Sequence, residues 1–368
     1  MKKIIWMLIF LICLAGTYRI LQMKVGFDPI DDIKEKDTAL TTINEVADKL
    51  NEAILDDTDG TLLLYISNNV SNDELKNVNY FIDTVNGSIT SMSIYYSVTD
   101  ARRVEFSYSR SDSLYVKDSI INGKAIPPDK TSASVLLEKT NSILSSVVSS
   151  NMSSYDKELA IHDYLVNNCV YGHSSSNDES EYTAYGALVN GKAVCSGYAA
   201  AMDLLLSCTG IDTEFVIGTA VSENENGENV TDNHAWNQVN IDGTWYNLDA
   251  TWDDPVGEKN VISHQYFNVT DDILSRNHMW DQTKTNPCTS MDKNYFSVNG
   301  IWFSDAASLQ NYLSGMNINS GSIECALNNF NVGTNELQVL YGVSGIDKIG
   351  YRISGETDYQ ILNIILNE

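Results

Sequence analysis

This chain of 368 residues contains one feature that limits its fold more than any other: two strand-like segments joined by Asp-Gly at positions 242–243. Asp-Gly between alternating segments is a strong signal for a two-residue hairpin loop. With Ile241 opposite Thr244, strand alternation puts His234 and Asp249 on one face as diagonal neighbours. The sequence therefore predicts an antiparallel hairpin that carries a histidine–carboxylate pair.

The two faces of this hairpin differ in character. The face of His234 and Asp249 also holds Trp236, Gln238 and Asn247. One side of an antiparallel sheet commonly packs on a core while the other carries polar groups. The opposite face is apolar and is predicted to be core; its residues are Val239, Ile241, Tyr246, Leu248 and Ala250.

Cys195 lies near the start of an apolar stretch, residues 193–208, whose spacing predicts a buried helix. A thiol at a helix N-terminus faces unpaired N–H groups and the positive end of the helix dipole, which favour the nucleophilic thiolate. Ser196 and Gly197 are small and leave room for a substrate carbonyl. Cys208, on the same helix, fits the commoner role of a buried structural cysteine.

Cys195, His234 and Asp249 together have the chemistry of a cysteine catalytic triad. The imidazole takes the thiol proton, the carboxylate fixes the ring, and the sulfur attacks an amide carbonyl to form a thioester. Protonated His234 then donates to the leaving amine, and water or a second amine resolves the acyl-enzyme. Spacing alone leaves coincidence open, because most chains contain these three residue types somewhere.

The sequence around these residues resembles the transglutaminase-like superfamily in three segments, NGKAVCSGYAAAM, NHAWNQVNIDGTWYNLDATWDDP and SHQYFNVTDD. In that family the cysteine begins a helix, the histidine begins one strand and the aspartate lies on the next. By matching position, these are Cys195, His234 and Asp249. The upstream segments TAYGALVNGKAVC and DKELAIHDYLVNNCVY are also similar to the family, so that the resemblance covers residues 150–285.

The resemblance implies an α+β fold with a transglutaminase-like, papain-like core, in which the nucleophile helix packs on an antiparallel sheet. Small α+β or β-rich domains are expected to flank this core. Family members cross-link proteins, hydrolyse peptide bonds, deamidate or have lost activity, so the resemblance leaves the reaction open. The calcium-binding insertions of the animal cross-linking enzymes are not recognisable here. We therefore expect no calcium requirement, no other metal and no cofactor.

The oxyanion hole is expected to use the backbone N–H of Cys195. Papain-like enzymes place a glutamine six residues before the cysteine, but Val189 occupies that position here. A second donor must therefore come from another residue. Tyr185 and Tyr182 are the candidates, with simple packing as the alternative for each. Candidate substrate-binding residues are Trp236, Gln238 and Trp252.

Other histidines and acids near these segments are expected to have no catalytic role. His162 is predicted to be a partly exposed helix histidine. His264 and His278 are expected in packing or surface roles. The acids Asp232, Asp253 and Asp254 are interpreted as loop or turn residues rather than metal ligands.

The first residues resemble an export signal. Lys2 and Lys3 precede an apolar run at residues 4–16, which is typical of a signal peptide. No clean cleavage site follows, so an uncleaved membrane anchor is the alternative. Either way, we expect the remaining chain outside the cytoplasm, secreted or anchored at the cell surface. The net charge of −26 argues against a nucleic-acid partner, since phosphate binding needs clustered Lys and Arg.

Four parts are predicted along the chain: a signal peptide or anchor at 1–24, an α+β domain at 25–130, the catalytic domain at 131–288 and a small C-terminal domain at 289–368. In the first domain we predict a helix over 71–85 and a strand over 114–121. In the last, Asn-Gly at 299–300 predicts a hairpin over 296–303.

The favoured function is hydrolysis of a peptide or isopeptide bond in a protein or peptide substrate, with cell-wall peptide among the candidates. Cross-linking by transamidation is the alternative within the same chemistry. Two rivals lie outside it: a non-catalytic surface binding protein, and a metal hydrolase that uses Cys195, His234 and Asp249 as ligands. No closely spaced ligand pair in the sequence supports the metal hydrolase.

Overall fold

The computed structural model describes residues 39–56, 59–82, 85–95, 101–172, 178–223, 226–254, 262–316, 321–333, 337, 340 and 349–366. The predicted targeting segment at 1–24 lies outside these residues. Within them, no helix has both the length and the apolar character needed to cross a bilayer. Contacts divide the chain into two compact units, one ending at Asp118 and one beginning at Ser119.

The first unit is built on a three-stranded antiparallel sheet in the order β1-β3-β2. Thr42 and Glu45 form a capping box that starts its first helix, and apolar residues at helical spacing bury one face of that helix. The elements are α1 (Ile43–Leu55), β1 (Gly60–Ser67), α2 (Asn72–Lys76), a 3-10 turn (Val78–Tyr80), β2 (Gly87–Tyr95), β3 (Ala101–Arg110) and α3 (Asp112–Asn122), which continues past Asp118.

Two predictions for this region are wrong. The helix predicted over 71–85 has the expected capping box at its start but ends at Lys76. Asn79 instead bonds both the N–H and the carbonyl of Ile89 on β2, a tertiary contact that a continued helix would lose. The segment 114–121, predicted to be a strand, belongs to helix α3. Leu114 N–H, in the first turn of this helix, donates to Ser111 Oγ just before it.

The second unit begins with helices and continues into two four-stranded sheets. Its elements up to β9 are α4 (Thr131–Val147), α5 (Ser154–Asn168), β4 (Val170–Tyr171), a 3-10 turn (Glu179–Tyr182), a π-helical turn (Gly186–Asn190), β5 (Lys192–Ala193), α6 (Cys195–Ser207), β6 (Thr213–Glu223), β7 (Asn229–Ile241), β8 (Thr244–Leu248), α7 (Asp271–Leu274) and β9 (His278–Met279). The remainder comprises α8 (Tyr295–Val298), β10 (Trp302–Phe303), α9 (Ala306–Ser314), β11 (Gly321–Leu327), β12 (Ile349–Glu356) and β13 (Tyr359–Leu366).

The predicted hairpin is confirmed, including its register. β7 and β8 pair with Ile241 opposite Thr244. Asp242 and Gly243 have positive φ angles of 55° and 88°, as a type I′ turn requires. The sheet has the order β8-β7-β6-β9, and its observed pairs are antiparallel. Helix α6 packs on β7 and β6, so the α+β fold with a nucleophile helix on an antiparallel sheet is confirmed.

The second sheet of this unit has the order β10-β11-β13-β12. Its core is continuous with that of the first sheet, since Val216 and Trp236 belong to the same buried cluster as Leu327 and Ile361. The hairpin predicted over 296–303 is wrong. The side chain of Asn294 accepts a hydrogen bond from Phe296 N–H and starts helix α8, and β10 pairs in parallel with β11 instead.

Candidate active site

Cys195 is the first residue of α6. Val194 occupies the capping position and makes no side-chain capping bond, and its carbonyl accepts from the N–H groups of Gly197 and Tyr198. The N–H groups of Cys195 and Ser196 precede the first bonds of the helix. Gly197 is required by a close approach, because a Cβ there would lie 2.5 Å from the Glu181 carbonyl oxygen and 2.7 Å from Ala193 Cβ. The absence of a side chain lets the 3-10 turn at Glu179–Tyr182 pack directly on the start of the helix.

Two hydrogen bonds fix α6 relative to the sheet. Asn237 Nδ2 on β7 donates to the carbonyl of Ala199, at 3.0 Å. The hydroxyl of Tyr198 donates to Asp254 Oδ2 at 2.5 Å. Asp254 lies in the turn that follows Asp249, so α6 is tied to β7 and to the turn after the predicted triad acid.

His234 and Asp249 meet as the hairpin register predicts. His234 Nε2 lies 2.7 Å from Asp249 Oδ2. The other carboxylate oxygen, Oδ1, accepts the backbone N–H groups of Thr251 and Trp252 at 3.0 and 3.2 Å. Asp249 is fully buried, and the donors on both of its oxygens favour the anion against the effect of that burial.

The electrostatics of this pair favour a charged imidazole. Burial lowers the pKa of His234, but the charge of Asp249 and hydrogen bonds to Asp249 and Cys195 outweigh it and raise that pKa to about 10. Burial raises the pKa of Asp249, and the charge and hydrogen bond of His234 together with His278 bring it well below its usual range. The pair thus prefers imidazolium and carboxylate.

Cys195 is near enough to His234 to contribute, after Asp249, to the raised pKa of that ring. Because Nε2 is bonded to Asp249, Nδ1 is the ring nitrogen available to the thiol. The thiol of Cys195 is half-buried and is not part of a disulfide. The three residues singled out in the sequence therefore lie near one another, with His234 bonded to Asp249 and influenced by Cys195.

His278 is a functional candidate that the sequence did not reveal. Its Nε2 lies 3.0 Å from Asp249 Oδ2, the oxygen that also faces His234, and its Nδ1 lies 2.7 Å from Asn277 Oδ1. His278 is fully buried, on β9, which pairs with β6 through Ala220. This contact joins a short strand to a distant one, so no local sequence signal could have placed the ring beside Asp249.

Tyr171 is a second residue that the sequence did not single out. It is 39% exposed and lies on β4, which pairs with β5 directly before Cys195. Burial raises its pKa, and the negative charges of Cys195, Asp232 and Asp249 raise it further. Tyr171 is therefore a candidate donor near Cys195, since its strand pairs with the residues just before that cysteine.

The three predicted substrate-binding residues differ in burial. The prediction for Gln238 is wrong: it is fully buried, and its Nε2 donates to Asn247 Oδ1 and to the carbonyl of Asn286. Trp236 is also buried, with its ring 6.0 Å from that of His234, so it supports the histidine from inside the core. Trp252 is half-buried, 5.6 Å from the ring of His234, as a residue of the cleft wall would be.

The two predicted oxyanion tyrosines lie on the segment that packs against the start of α6. Tyr182 ends the 3-10 turn and is 52% exposed. Tyr185 is half-buried and precedes the π-helical turn, Gly186–Asn190, which contains Val189. Val194 N–H donates to the carbonyl of Glu181 and links this segment to the helix. Their role as donors stays a prediction.

His162 and His264 do not lie at the surface. The prediction of a partly exposed His162 is wrong, because it is fully buried on α5. His264 is buried as well, and both rings bond carboxylates on two sides. Asp253, interpreted from sequence as a loop acid, is fully buried in the same network. Burial raises the pKa of Asp253 to about 6 against the opposing effect of His162.

Residues 141–250 match the family model of the transglutaminase-like superfamily. This stretch is similar to a transglutaminase-like core. It begins within α4 and ends just after Asp249, so it contains Cys195, His234 and Asp249. The resemblance seen in the sequence is thereby confirmed for this part of the chain. No curated protein matches the chain.

Solved structures similar to the chain include a TGase, at 12% identity over 68% of this chain and 64% of the other, with a TM-score of 0.27. A candidate cysteine protease from Cytophaga hutchinsonii is 15% identical over 52% of this chain and 64% of the other, with a TM-score of 0.26. A candidate protease from Parabacteroides distasonis is 8% identical over 84% and 66%, with a TM-score of 0.21. The chain thus spans just under two thirds of each, and TM-scores this low carry no weight.

Proposed function

We propose that the chain is an exported cysteine enzyme that hydrolyses amide bonds of protein or peptide substrates, with Cys195, His234 and Asp249 as its catalytic triad. The observation that supports this most strongly is the imidazole of His234 held between the buried carboxylate of Asp249 and the thiol that opens α6. A thiol, a base and a group that orients the base are the parts that covalent amide hydrolysis needs.

The first half of the reaction forms a thioester. Cys195 Sγ, whose proton passes to His234 Nδ1, bonds to the carbonyl carbon, and the carbonyl π electrons move to oxygen. As the oxyanion collapses, the C–N bond breaks and the amine leaves with the proton from His234. Asp249 keeps the ring oriented by accepting the Nε2–H bond. The raised pKa of His234 stabilises the protonated ring during attack.

The second half consumes the thioester. Water adds to the carbonyl carbon as His234 takes one of its protons, the C–S bond breaks, and the sulfur recovers the proton. In this proposal the backbone N–H of Cys195, at the start of α6, stabilises the oxyanion in both halves. The hydroxyl of Tyr171, on the strand that pairs with the residues just before Cys195, is the second donor.

Export and substrate class are part of the proposal. Lys2 and Lys3 before the apolar run support passage to the outside of the cytoplasm, by secretion or with a retained anchor. Outside the cell, water is the abundant acceptor, which favours hydrolysis over transamidation. Peptides of the cell wall and secreted proteins are the substrates to examine first.

A peptide library tests the reaction directly. The full chain is incubated with the library, with and without an added primary amine, beside Cys195→Ala and Cys208→Ala as a matched control on the same helix. We expect new peptide termini with wild type and Cys208→Ala, and none with Cys195→Ala. Incorporation of the amine in place of water would show that the reaction is transamidation rather than hydrolysis. If none of the three proteins changed the peptides, the proposal that the chain is an amide-cleaving enzyme would be wrong.

A further inference from the structure

A second group of histidines and carboxylates lies in the same unit as the triad but shares no residue with it. Its members come from α5, the turn after Asp249, the loop before α7, and β11. We call it the His162 cluster and define it as His162, Asp163, Asp253, His264 and Glu324. None of these residues has a part in the proposed amide chemistry.

At the centre of the cluster, two imidazole nitrogens converge on one carboxylate. Asp163 Oδ1 lies 3.0 Å from His162 Nδ1 and 3.1 Å from His264 Nε2. One ligand atom from each of His162, Asp163 and His264 lies within 4.8 Å of the other two. Two imidazoles and a carboxylate are a common donor set for Zn²⁺ and related divalent transition-metal ions.

The outer nitrogens of both rings are already anchored. His162 Nε2 lies 3.2 Å from Asp253 Oδ2, and His264 Nδ1 lies 2.7 Å from Glu324 Oε2. A histidine that binds a metal almost always donates its other N–H to a carboxylate or carbonyl, which fixes the tautomer and orients the ring. Both rings therefore have the outer partners of a metal ligand.

The outer carboxylates are held in turn. Glu324 Oε1 accepts the backbone N–H of His264 at 3.0 Å and the hydroxyl of Ser263 at 3.2 Å. Asp253 Oδ1 accepts Tyr266 N–H at 2.9 Å. The cluster is thus organised in two layers, an inner group of three donors and an outer group of carboxylates fixed by the backbone.

Packing holds the rings while leaving a path for an ion. The ring of His264 stacks on that of Tyr295 with centroids 3.6 Å apart and planes within 6°. His162 packs edge-on against Phe267, at 5.1 Å. Both histidines are buried, whereas the side chain of Asp163 is 35% exposed. Asp163 therefore connects the inner group to solvent.

Charge does not oppose an ion at this point. The cluster holds three carboxylates, Asp163, Asp253 and Glu324, beside two imidazoles, so its acids attract a divalent cation. We propose that His162 Nδ1, His264 Nε2 and an oxygen of Asp163 bind one Zn²⁺-class ion, with water as the fourth ligand.

This site ties together parts of the chain that are distant in sequence. Its ligands link α5 to the loop before α7, and Glu324 extends the link to β11. Asp253 lies four residues after Asp249, so the outer layer also holds the turn that carries the triad acid. The role of the ion is therefore structural, and the site differs from the alternative in which Cys195, His234 and Asp249 are the ligands.

Metal content and thermal stability of the full chain test the site. Wild type, Asp163→Asn, Cys195→Ala and His278→Asn are treated with chelator, reloaded with zinc sulfate, desalted and analysed. We expect about one Zn²⁺ per chain in wild type, Cys195→Ala and His278→Asn, and its loss in Asp163→Asn. Zinc should raise the melting temperature of wild type and leave that of Asp163→Asn unchanged.

Cobalt gives a test that does not depend on a variant. Co²⁺ bound by nitrogen and oxygen should show d–d absorption without the intense sulfur-to-metal charge-transfer band of a thiolate site. A charge-transfer band, zinc that is lost in Cys195→Ala, or no bound ion in wild type would each overturn the proposal. The last result would leave a cluster of hydrogen bonds in which protons occupy the place assigned to the ion.

Discussion

The His234–Asp249 pair and the His162 cluster use the same residue types for different ends. In the first, one ring nitrogen of His234 faces a carboxylate and the other is available to a thiol. In the second, His162 and His264 each have a carboxylate on both ring nitrogens. A histidine with a nitrogen turned toward a nucleophile can move a proton, whereas one fixed on both sides can only hold structure.

The largest effect is expected for Asp249→Asn, which tests the first half of this comparison. The amide keeps the shape but cannot stabilise the imidazolium or fix its tautomer, and similar changes in triads lower kcat by about 10⁴. We expect a loss of that order in peptide hydrolysis. Steady-state kinetics check it, with circular dichroism to verify folding. Activity within about tenfold of wild type would remove Asp249 from the mechanism.

A large loss of stability is expected for His162→Ala, which removes one ring of the His162 cluster. His162→Ala leaves buried Asp253 without its ring partner, and removal of one partner from a buried charged pair typically costs about 3–5 kcal/mol. The free energy of unfolding in denaturant should fall by that amount.

The matched change His234→Ala should remove activity and cost less stability than His162→Ala, because it leaves Asp249 bonded to His278 and to two backbone N–H groups. If His162→Ala proved neutral for stability, the two histidine sites would no longer differ in the way described.

A smaller effect is expected for His278→Asn. His278 shares Asp249 Oδ2 with His234 and has its own second nitrogen occupied, so it orients the acid without moving a proton. Loss of one hydrogen bond to a charged group corresponds to about tenfold in kcat. The loss should appear in kcat rather than KM. His278→Gln, which can reach further than Asn, should recover part of it.

The smallest effect concerns pH. The pKa of His234 is raised from 6.5 to about 10 in the folded chain, so its contribution to stability is complete below about pH 6.5 and is lost as pH rises through 10. The difference in unfolding free energy between wild type and His234→Gln should therefore narrow between these values. Denaturant titrations across that range measure it, and a difference that stays constant would contradict the ion pair.

Local patterns in the sequence predicted the arrangement of the region around Cys195, His234 and Asp249. The Asp-Gly turn fixed the parity of the hairpin, and parity alone brought His234 to Asp249. The apolar spacing of 193–208 located the helix that begins at Cys195. These features depend on neighbouring residues, so they can be read without knowing the rest of the fold.

Other features were decided by tertiary contacts that the sequence does not display. Asn79 and Asn294 use their side chains to end or start helices, which overrode a predicted helix and a predicted hairpin. His278 meets Asp249 only because β9 pairs with β6. Gln238 shares a face with His234, as alternation predicts, but the segment around Asn286 covers it. Burial of a polar face by a distant segment has no local signature.

The rate of alkylation of Cys195 tests the central claim most directly. Cys195 and Cys208 lie on the same helix or at its end and are both half-buried, so they are matched in exposure. With iodoacetamide at neutral pH, followed by peptide mapping, Cys195 should react far faster than Cys208, and His234→Gln should remove most of that advantage. Equal and slow labelling of the two thiols in wild type would contradict an activated nucleophile at Cys195.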